Sequence, residues 1–266
     1  MHILITGGAG YIGSHTALVL LQQGHTVTIL DHLEKDKEEI LNAVRTHGGE
    51  FELLQTELKS LAEVRTKLAG RTFDAVIHFA ASIEVGISTQ EPVQFVNNNV
   101  VGSQHLFDIL ITNGVKNFVF SSSAAVYGTP ERVPIKEDDP LHPENPYALT
   151  KHITEQILES YTKFAGINVV ALRYFNPAGS YKGVMGERHR PETHLIPRLL
   201  HGLLADDFRL KVFGTDYDTP DGTALRDYIH VMDLADAHAA CIDYLQHHKG
   251  FSAFNVGTVP GRAFLM

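Results

Sequence analysis

Tyr147 and Lys151 lie four residues apart, a spacing that puts both side chains on one face of a helix. A phenol titrates near pH 10 and becomes a useful base only where a neighbouring cation stabilises its phenolate. Lys151, one turn away, supplies such a cation, and the positive ring of an oxidised nicotinamide would add to it. The pair has little meaning alone, because Tyr and Lys fall four apart in many helices. It gains meaning from Ser121-Ser122-Ser123, which closes an apolar run where open α/β sheets meet their ligands. A hydroxyl at Ser123 would bond a substrate alcohol and share its proton with Tyr147. A third constellation is Thr6-Gly7-Gly8-Ala9-Gly10-Tyr11-Ile12-Gly13. It follows a strand-like run and opens a helix-like one, the context in which G-x-G-x-x-G binds a dinucleotide. Its glycines allow a tight turn and close approach of a pyrophosphate, and the helix start offers free N–H groups. Asp31 ends the next strand-like run, where a carboxylate accepts from a ribose 2′-hydroxyl and repels a 2′-phosphate; NAD is therefore expected over NADP. Together these groups predict hydride transfer at an alcohol or carbonyl.

The elements that must position these residues alternate along the chain. Short apolar runs at His2–Thr6, Thr26–Asp31, Phe51–Gln55, Ala75–Phe79, Asn117–Ser121 and Asn168–Arg173 suit strands buried on both faces of a parallel sheet. Between them Tyr11–Gln23, Lys35–Thr46, Leu61–Leu68, Glu91–Thr112 and Tyr147–Phe164 read as helices, with Gly24, Gly48, Gly114 and Gly166 as terminal caps. The prediction is an α/β fold with a Rossmann-like, doubly wound parallel sheet. After Asn176, Gly, Pro and charge become frequent. A short helix at Leu195–Leu204, strands at Lys211–Phe213, Asp227–His230 and Ala253–Val256, and a helix at Asp233–Gln246 are expected there. The domains read as 1–176, extended by 226–248, for the dinucleotide, and 177–266 as a smaller lobe for substrate.

Composition bounds the rest. The 266 residues, 44% apolar and 20% charged, suit a globular enzyme, and the net charge of −9 gives nucleic acid no overall attraction. One thiol, Cys241, excludes a disulfide framework. Sixteen histidines include no H-E-x-x-H, so most are expected on the surface and no metal is expected. No apolar run reaches the roughly 18 residues of a membrane span, and the N-terminus lacks a secretory pattern, which makes a cytoplasmic protein the expectation.

The glycine loop through His15, the segment Ser121–Gly128 and Tyr147-x-x-x-Lys151 resemble the extended short-chain dehydrogenase/reductase family. Arg173-Tyr174-Phe175-Asn176-Pro177-Ala178-Gly179, with Asp221-Gly222-Thr223-x-x-Arg226-Asp227-Tyr228-Ile229-His230-Val231, narrows the likeness to the UDP-glucose 4-epimerase branch. The resemblance implies interconversion of UDP-glucose and UDP-galactose by reversible hydride transfer at sugar C4, through a 4-keto intermediate and with tightly bound NAD. It makes Tyr147 the acid/base, Lys151 its activator and a ribose ligand, and Ser123 the hydroxyl partner. Cofactor contacts would come from Gly7, Gly10, Tyr11, Ile12, Gly13, Asp31, His32, Glu57, Leu58, Phe79, Ala80, Ala81, Asn98, Ser121 and Tyr174. The UDP-sugar would be held by Asn176, His194, Leu195, Phe213 and Arg226, the last able to grip a diphosphate in a bidentate manner. A homodimer is implied as well.

The pattern departs from that branch in His32, in Glu57 and after Glu187. Relatives also run further, so the resemblance implies a C-terminally short substrate lobe. A nucleotide-sugar dehydratase would need an acidic pair after Ser123, where Ala124-Ala125 stands. Epimerases of UDP-N-acetylhexosamines or UDP-pentoses, and a catalytically silent NAD-binding protein, remain as alternatives.

Overall fold

The computed structural model describes residues 1–33, 37–189, 192–204, 208–209, 211–212 and 214–258. The chain runs β1 (His2–Thr6), α1 (Tyr11–Gln22), β2 (Thr26–Asp31), α2 (Lys37–Gly48), β3 (Glu52–Gln55), α3 (Leu61–Leu68) and β4 (Ala75–His78). Helices α4 (Val85–Gln90) and α5 (Pro92–Val96), a π-helical segment (Asn97–Gly102) and α6 (Ser103–Thr112) follow. Then come β5 (Asn117–Ser121), a 3₁₀ turn (Ala124–Tyr127), α7 (Pro146–Phe164) and β6 (Asn168–Tyr174). The remainder holds β7 (Asn176–Ala178), β8 (Ser180–Tyr181), β9 (Met185–Gly186), α8 (Leu195–Gly202), β10 (Tyr228–His230), α9 (Val231–His247) and β11 (Phe251–Val256).

The main sheet is parallel throughout, in the order β11-β6-β5-β4-β1-β2-β3. Alternate residues of each strand feed opposite faces. Ile3 and Ile5 join Leu18, Leu41 and Ile242 on the side covered by α1, α2 and α9. Leu4 joins Leu68, Phe107 and Leu158 on the side covered by α3, α6 and α7. The strand order reverses between β1 and β4, and this switch point opens a crevice at the carboxyl ends of the two strands. That crevice is where the glycine loop lies.

The predicted strands β1, β2 and β5 are found residue for residue. The strand expected at Ala253–Val256 within the smaller lobe runs Phe251–Val256 and is the edge strand of the main sheet, paired from Phe251↔Val169 to Val256↔Tyr174. Two small ladders, β7 with β10 and β8 with β9, stand beside the sheet. Lys211 and Val212 are exposed and form no strand, and Phe213 lies outside the described residues. In α2, Lys35 and Asp36 also fall outside them.

Two further expectations are corrected. Gly24, Gly114 and Gly166 do take the left-handed conformation that ends a helix, but Gly48 is helical and Gly49 takes that role, at φ +125°. The continuous helix expected over Glu91–Thr112 is broken. Glu91 sits at φ −125°, because the residue before a proline is pushed out of the helical region. Pro92 then opens α5, and the helix widens to π geometry at Asn97–Gly102. Local widening of this kind re-aims side chains at functional sites. Here it sends Asn98 to the crevice while Asn99 is buried beneath it.

Candidate active site

The first wall of the site is the β1–α1 loop. Gly7, at φ +70°, donates to the Leu30 carbonyl at 2.8 Å, and Gly10 donates back to Gly7 at 3.0 Å. A side chain at Gly13 would collide with the Gly7 carbonyl oxygen, and one at Gly7 would come within 2.7 Å of the Ala80 nitrogen. Only glycine lets the turn close this tightly against both α1 and the end of β4. No side chain caps the start of α1, so its first N–H groups face the crevice. Asp31, 6% exposed, accepts from the Ala9 N–H and the Leu33 N–H at 3.0 Å each. Burial alone would raise its carboxyl, but bonds from His32, Leu33 and Ala9 outweigh burial and hold it below the usual range. Asp31 is therefore a fixed carboxylate at the mouth of the loop.

The second wall comes from β4 and the segment after it. Thr6 and His78, adjacent in register, bond at 2.7 Å, and the far nitrogen of His78 meets Ser103 at 2.8 Å. Burial, and then the charge of Lys151, lower His78 to about 3, so this ring is a neutral strut inside the sheet. Phe79, Ala80 and Ala81 continue from β4 along the crevice. Asn98 donates to Ser82 Oγ at 3.2 Å, and Asn99 clamps the same residue through Ser82 N–H (2.8 Å) and Ser82 carbonyl (2.9 Å) bonds. Ser82 and Asn99 were not singled out from sequence. The Asn97-Asn98-Asn99 run was the available signal, because three asparagines disfavour an ordinary helix interior.

The third wall carries the hydroxyl groups. Asn145 caps α7 by accepting from the Ala148 N–H at 2.9 Å, and Pro146 takes the first helical position. That start sets Tyr147 against the end of β5. Ser123 lies near the Tyr147 phenol and lowers its pKa, and its oxygen accepts from the Ala125 N–H at 3.2 Å. Ser121 and Tyr174 share a 2.6 Å hydrogen bond between hydroxyls, and burial pushes Tyr174 up to about 12. Lys151 Nζ donates to the Ser121 carbonyl at 2.7 Å and lies 5.8 Å from the centre of the Tyr147 ring.

Burial raises the Tyr147 phenol well above its usual range, Tyr174 adds to this, and Ser123 only opposes it. Burial also lowers the Lys151 amine to about 7, with Glu155 resisting. Lys151 thus does not by itself make Tyr147 acidic. Its amine is turned to the Ser121 carbonyl, beside the Tyr147 ring and outside the lining of the cleft.

The walls enclose one cleft of about 1990 Å³. It is lined by Gly7, Gly10, Tyr11, Ile12, Gly13, Asp31, His32, Glu57, Leu58, Phe79, Ala80, Ala81, Asn98, Ser121, Ser123, Tyr147 and Tyr174. Glu57 is partly exposed and pairs with Lys59 at 3.3 Å, whereas Leu58 is buried beside it. The same cleft is also lined by Asn176, His194, Leu195 and Arg226. Asn176 donates to the Asp227 carbonyl at 2.7 Å, and Arg226 is exposed with its guanidinium against the Leu225 carbonyl. Of the residues expected at the site, Lys151 is set behind the lining and Phe213 lies outside the described residues.

A family model described as "NAD dependent epimerase/dehydratase family" matches residues 3–257. The chain belongs to the NAD dependent epimerase/dehydratase family. Within that family it is 45% identical to a UDP-glucose 4-epimerase of Rhizobium meliloti (strain 1021), over 98% of this chain and 77% of that protein. Its fold is similar to UDP-glucose 4-epimerase from Brucella ovis in complex with NAD, with a TM-score of 0.89, 42% identity, and 98% and 79% of the two chains covered. It is also similar to the enzyme from Bifidobacterium longum in complex with NAD+ and UDP, with a TM-score of 0.93, 36% identity, and 99% and 80% covered. The residues of the first wall fit the dinucleotide that the family name implies. The glycine cradle would be filled by any Cβ, the uncapped helix start offers N–H donors, and Asp31 is a preset acceptor. Among the described residues no helix is long and apolar enough to cross a membrane.

Proposed function

We propose that this protein interconverts UDP-glucose and UDP-galactose. The observation that carries the reading is the continuity of one cleft from the glycine loop, past Ser123 and Tyr147, to Asn176, His194, Leu195 and Arg226. Gly7, Gly10, Tyr11, Ile12, Gly13 and Asp31 would hold NAD at one end, with His32, Glu57, Leu58, Phe79, Ala80, Ala81, Asn98, Ser121, Tyr147, Lys151 and Tyr174 along its length. When bound, NAD supplies the acceptor and donor of a hydride at sugar C4, which makes a 4-keto sugar the intermediate. Tyr147 takes the proton of the sugar 4-hydroxyl and later returns it, and Ser123 orients that hydroxyl. Lys151 braces the Ser121 carbonyl and contributes positive potential from behind Tyr147. Arg226, Asn176, His194 and Leu195 grip the UDP part, so that the sugar turns without leaving. The division of labour we assign is residues 1–176 with 226–256 for the dinucleotide and the intervening segment for substrate.

The direct test incubates purified protein with UDP-galactose and follows UDP-glucose by NMR. Conversion is expected; its absence with NAD demonstrably bound would remove the catalytic reading. UDP-N-acetylgalactosamine and a UDP-pentose in parallel samples define the sugar range. The Asp31 carboxylate predicts at least a tenfold preference for NAD over NADP in a binding titration, since an added 2′-phosphate would face a fixed like charge. Equal affinities would contradict that role.

The reading includes a homodimer in the cytoplasm. Helices α5 and α7 pack side by side and leave Val93, Val96 and Leu149 exposed, with Val101 following in the π segment. Sedimentation velocity is expected to give twice the 29.4 kDa chain mass, reverting to one chain in a Val93→Glu/Leu149→Glu variant. A wild-type monomer at micromolar concentration would rule the dimer out. The single thiol, Cys241, is free and buried, in keeping with a reducing compartment.

A further inference from the structure

We propose that Glu187, His189 and His194, with Glu192 as a fourth donor, form a binding site for one divalent transition-metal ion of zinc type on the wall of the cleft. One ligand atom from each of the four lies within 4.8 Å of every other. Zinc bound tetrahedrally at about 2.0–2.2 Å holds its ligand atoms roughly 3.3–3.5 Å apart. Here His189 Nδ1 is 3.2 Å and His194 Nδ1 2.9 Å from the same Glu187 oxygen, and His194 Nδ1 is 3.2 Å from Glu192 Oε1. The four groups therefore need only small adjustments to surround one ion.

These are also ion-pair distances, and His194 Nδ1 already bonds Glu192 Oε1, but one contact departs from a plain ion-pair cluster. His189 Nδ1 is buried and lies at bonding distance from Glu187, yet it makes no hydrogen bond. A ring N–H in an ion pair points at its carboxylate; a ring nitrogen poised as a ligand points at a centre shared with that carboxylate. The side chains of Glu187 and Glu192 are 9% and 10% exposed. Glu192 is also pinned by the His194 N–H at 2.8 Å, so the donors are preset by their backbone. Two carboxylates and two neutral imidazoles balance a divalent charge, and two His with carboxylate oxygens match the donor preferences of zinc. Glu187, His189 and His194 all line the cleft. The His194 side chain is 42% exposed, so an ion held there would keep a face open to it.

The test uses the full chain, stripped with a chelator and dialysed. Zn2+ is titrated by calorimetry, and Co2+ is added separately to read the absorption bands of a low-symmetry nitrogen–oxygen site. One ion per chain is expected, with a dissociation constant of about 1 μM or below. Glu187→Gln and His189→Ala should each weaken it by about a hundredfold, with thermal melting confirming that both fold. His248→Ala, at the exposed end of α9, should leave it unchanged. Zn2+ binding weaker than about 100 μM, or affinity retained in both Glu187→Gln and His189→Ala, overturns the site. These readouts do not involve UDP-galactose, so failure of the proposed turnover leaves them intact.

Discussion

Replacing Tyr147 with phenylalanine will lower turnover of UDP-galactose by about three orders of magnitude while leaving NAD bound, within the range typical of losing a positioned acid/base. The ring is 7% exposed and Phe keeps its volume, so the packing of α7 against β5 should survive. What disappears is the phenol beside Ser123 that we assign to proton transfer at C4. Since the loss falls on proton transfer, kcat should drop with little change in KM. Ser123→Ala should cost less, because it removes an orienting bond and leaves the base. Activity of Tyr147→Phe within tenfold of the parent would show that another group carries the proton. The parent should also lose activity as pH falls, because protonating the phenolate removes the base. Burial raises the phenol, which moves this limb to higher pH.

The second large effect concerns stability. Arg173 and Glu155 are both buried, and the guanidinium meets the carboxylate at 2.7 Å, with a second donor at 3.1 Å. Glu155 also accepts from Ser122, and Arg173 donates to Tyr127 at 2.8 Å. This network ties α7, β6 and the 3₁₀ turn together directly behind the Ser121–Ser123 strand end. Arg173→Met strands a buried carboxylate and should cost about 3–5 kcal/mol, lowering the melting temperature by on the order of 10 °C. Restoring neutrality with Arg173→Met/Glu155→Gln should regain a substantial part of that loss. Calorimetry that finds less than about 1 kcal/mol for Arg173→Met would mean the charge finds water or another partner. The motif Arg173–Gly179, read from sequence as a family signature, thus has a structural component in its first residue.

Much of this was legible because buried parallel strands leave a plain signal. Ile3-Leu4-Ile5 and Phe118-Val119-Phe120 are apolar on both faces, and nothing in the tertiary structure overrides them. The glycine loop was legible for a similar reason: Gly7 and Gly13 are demanded by local sterics, which sequence spacing records. Other features depended on contacts distant in sequence. Helix Glu91–Thr112 kept an apolar rhythm across its π segment, so periodicity passed over the widening; the Glu91-Pro92 break was readable from proline alone. Strand β11 was recognised, but its place in the sheet is set by β6, some eighty positions earlier. The histidines were judged against helical metal spacing. Glu187, His189 and His194 converge after β9 outside any helix or strand of their own, where no period applies. Most histidines were expected at the surface, yet His15, His78 and His238 are buried, with Tyr11, Thr6 and Leu234 each meeting a ring nitrogen.

The π segment has a consequence for how this cleft tolerates insertions and deletions. Each residue of an α-helix turns the chain by about 100°, so one residue more or less in Asn97–Gly102 rotates everything upstream relative to α6. Removing a single asparagine would convert the wide turn to an ordinary one and swing both Asn98 and the Ser82 clamp away from the sheet. Chain length in this stretch, more than the identity of any one side chain, therefore governs the aim of the second wall. A one-residue gap here would be felt as sharply as a substitution in the glycine loop.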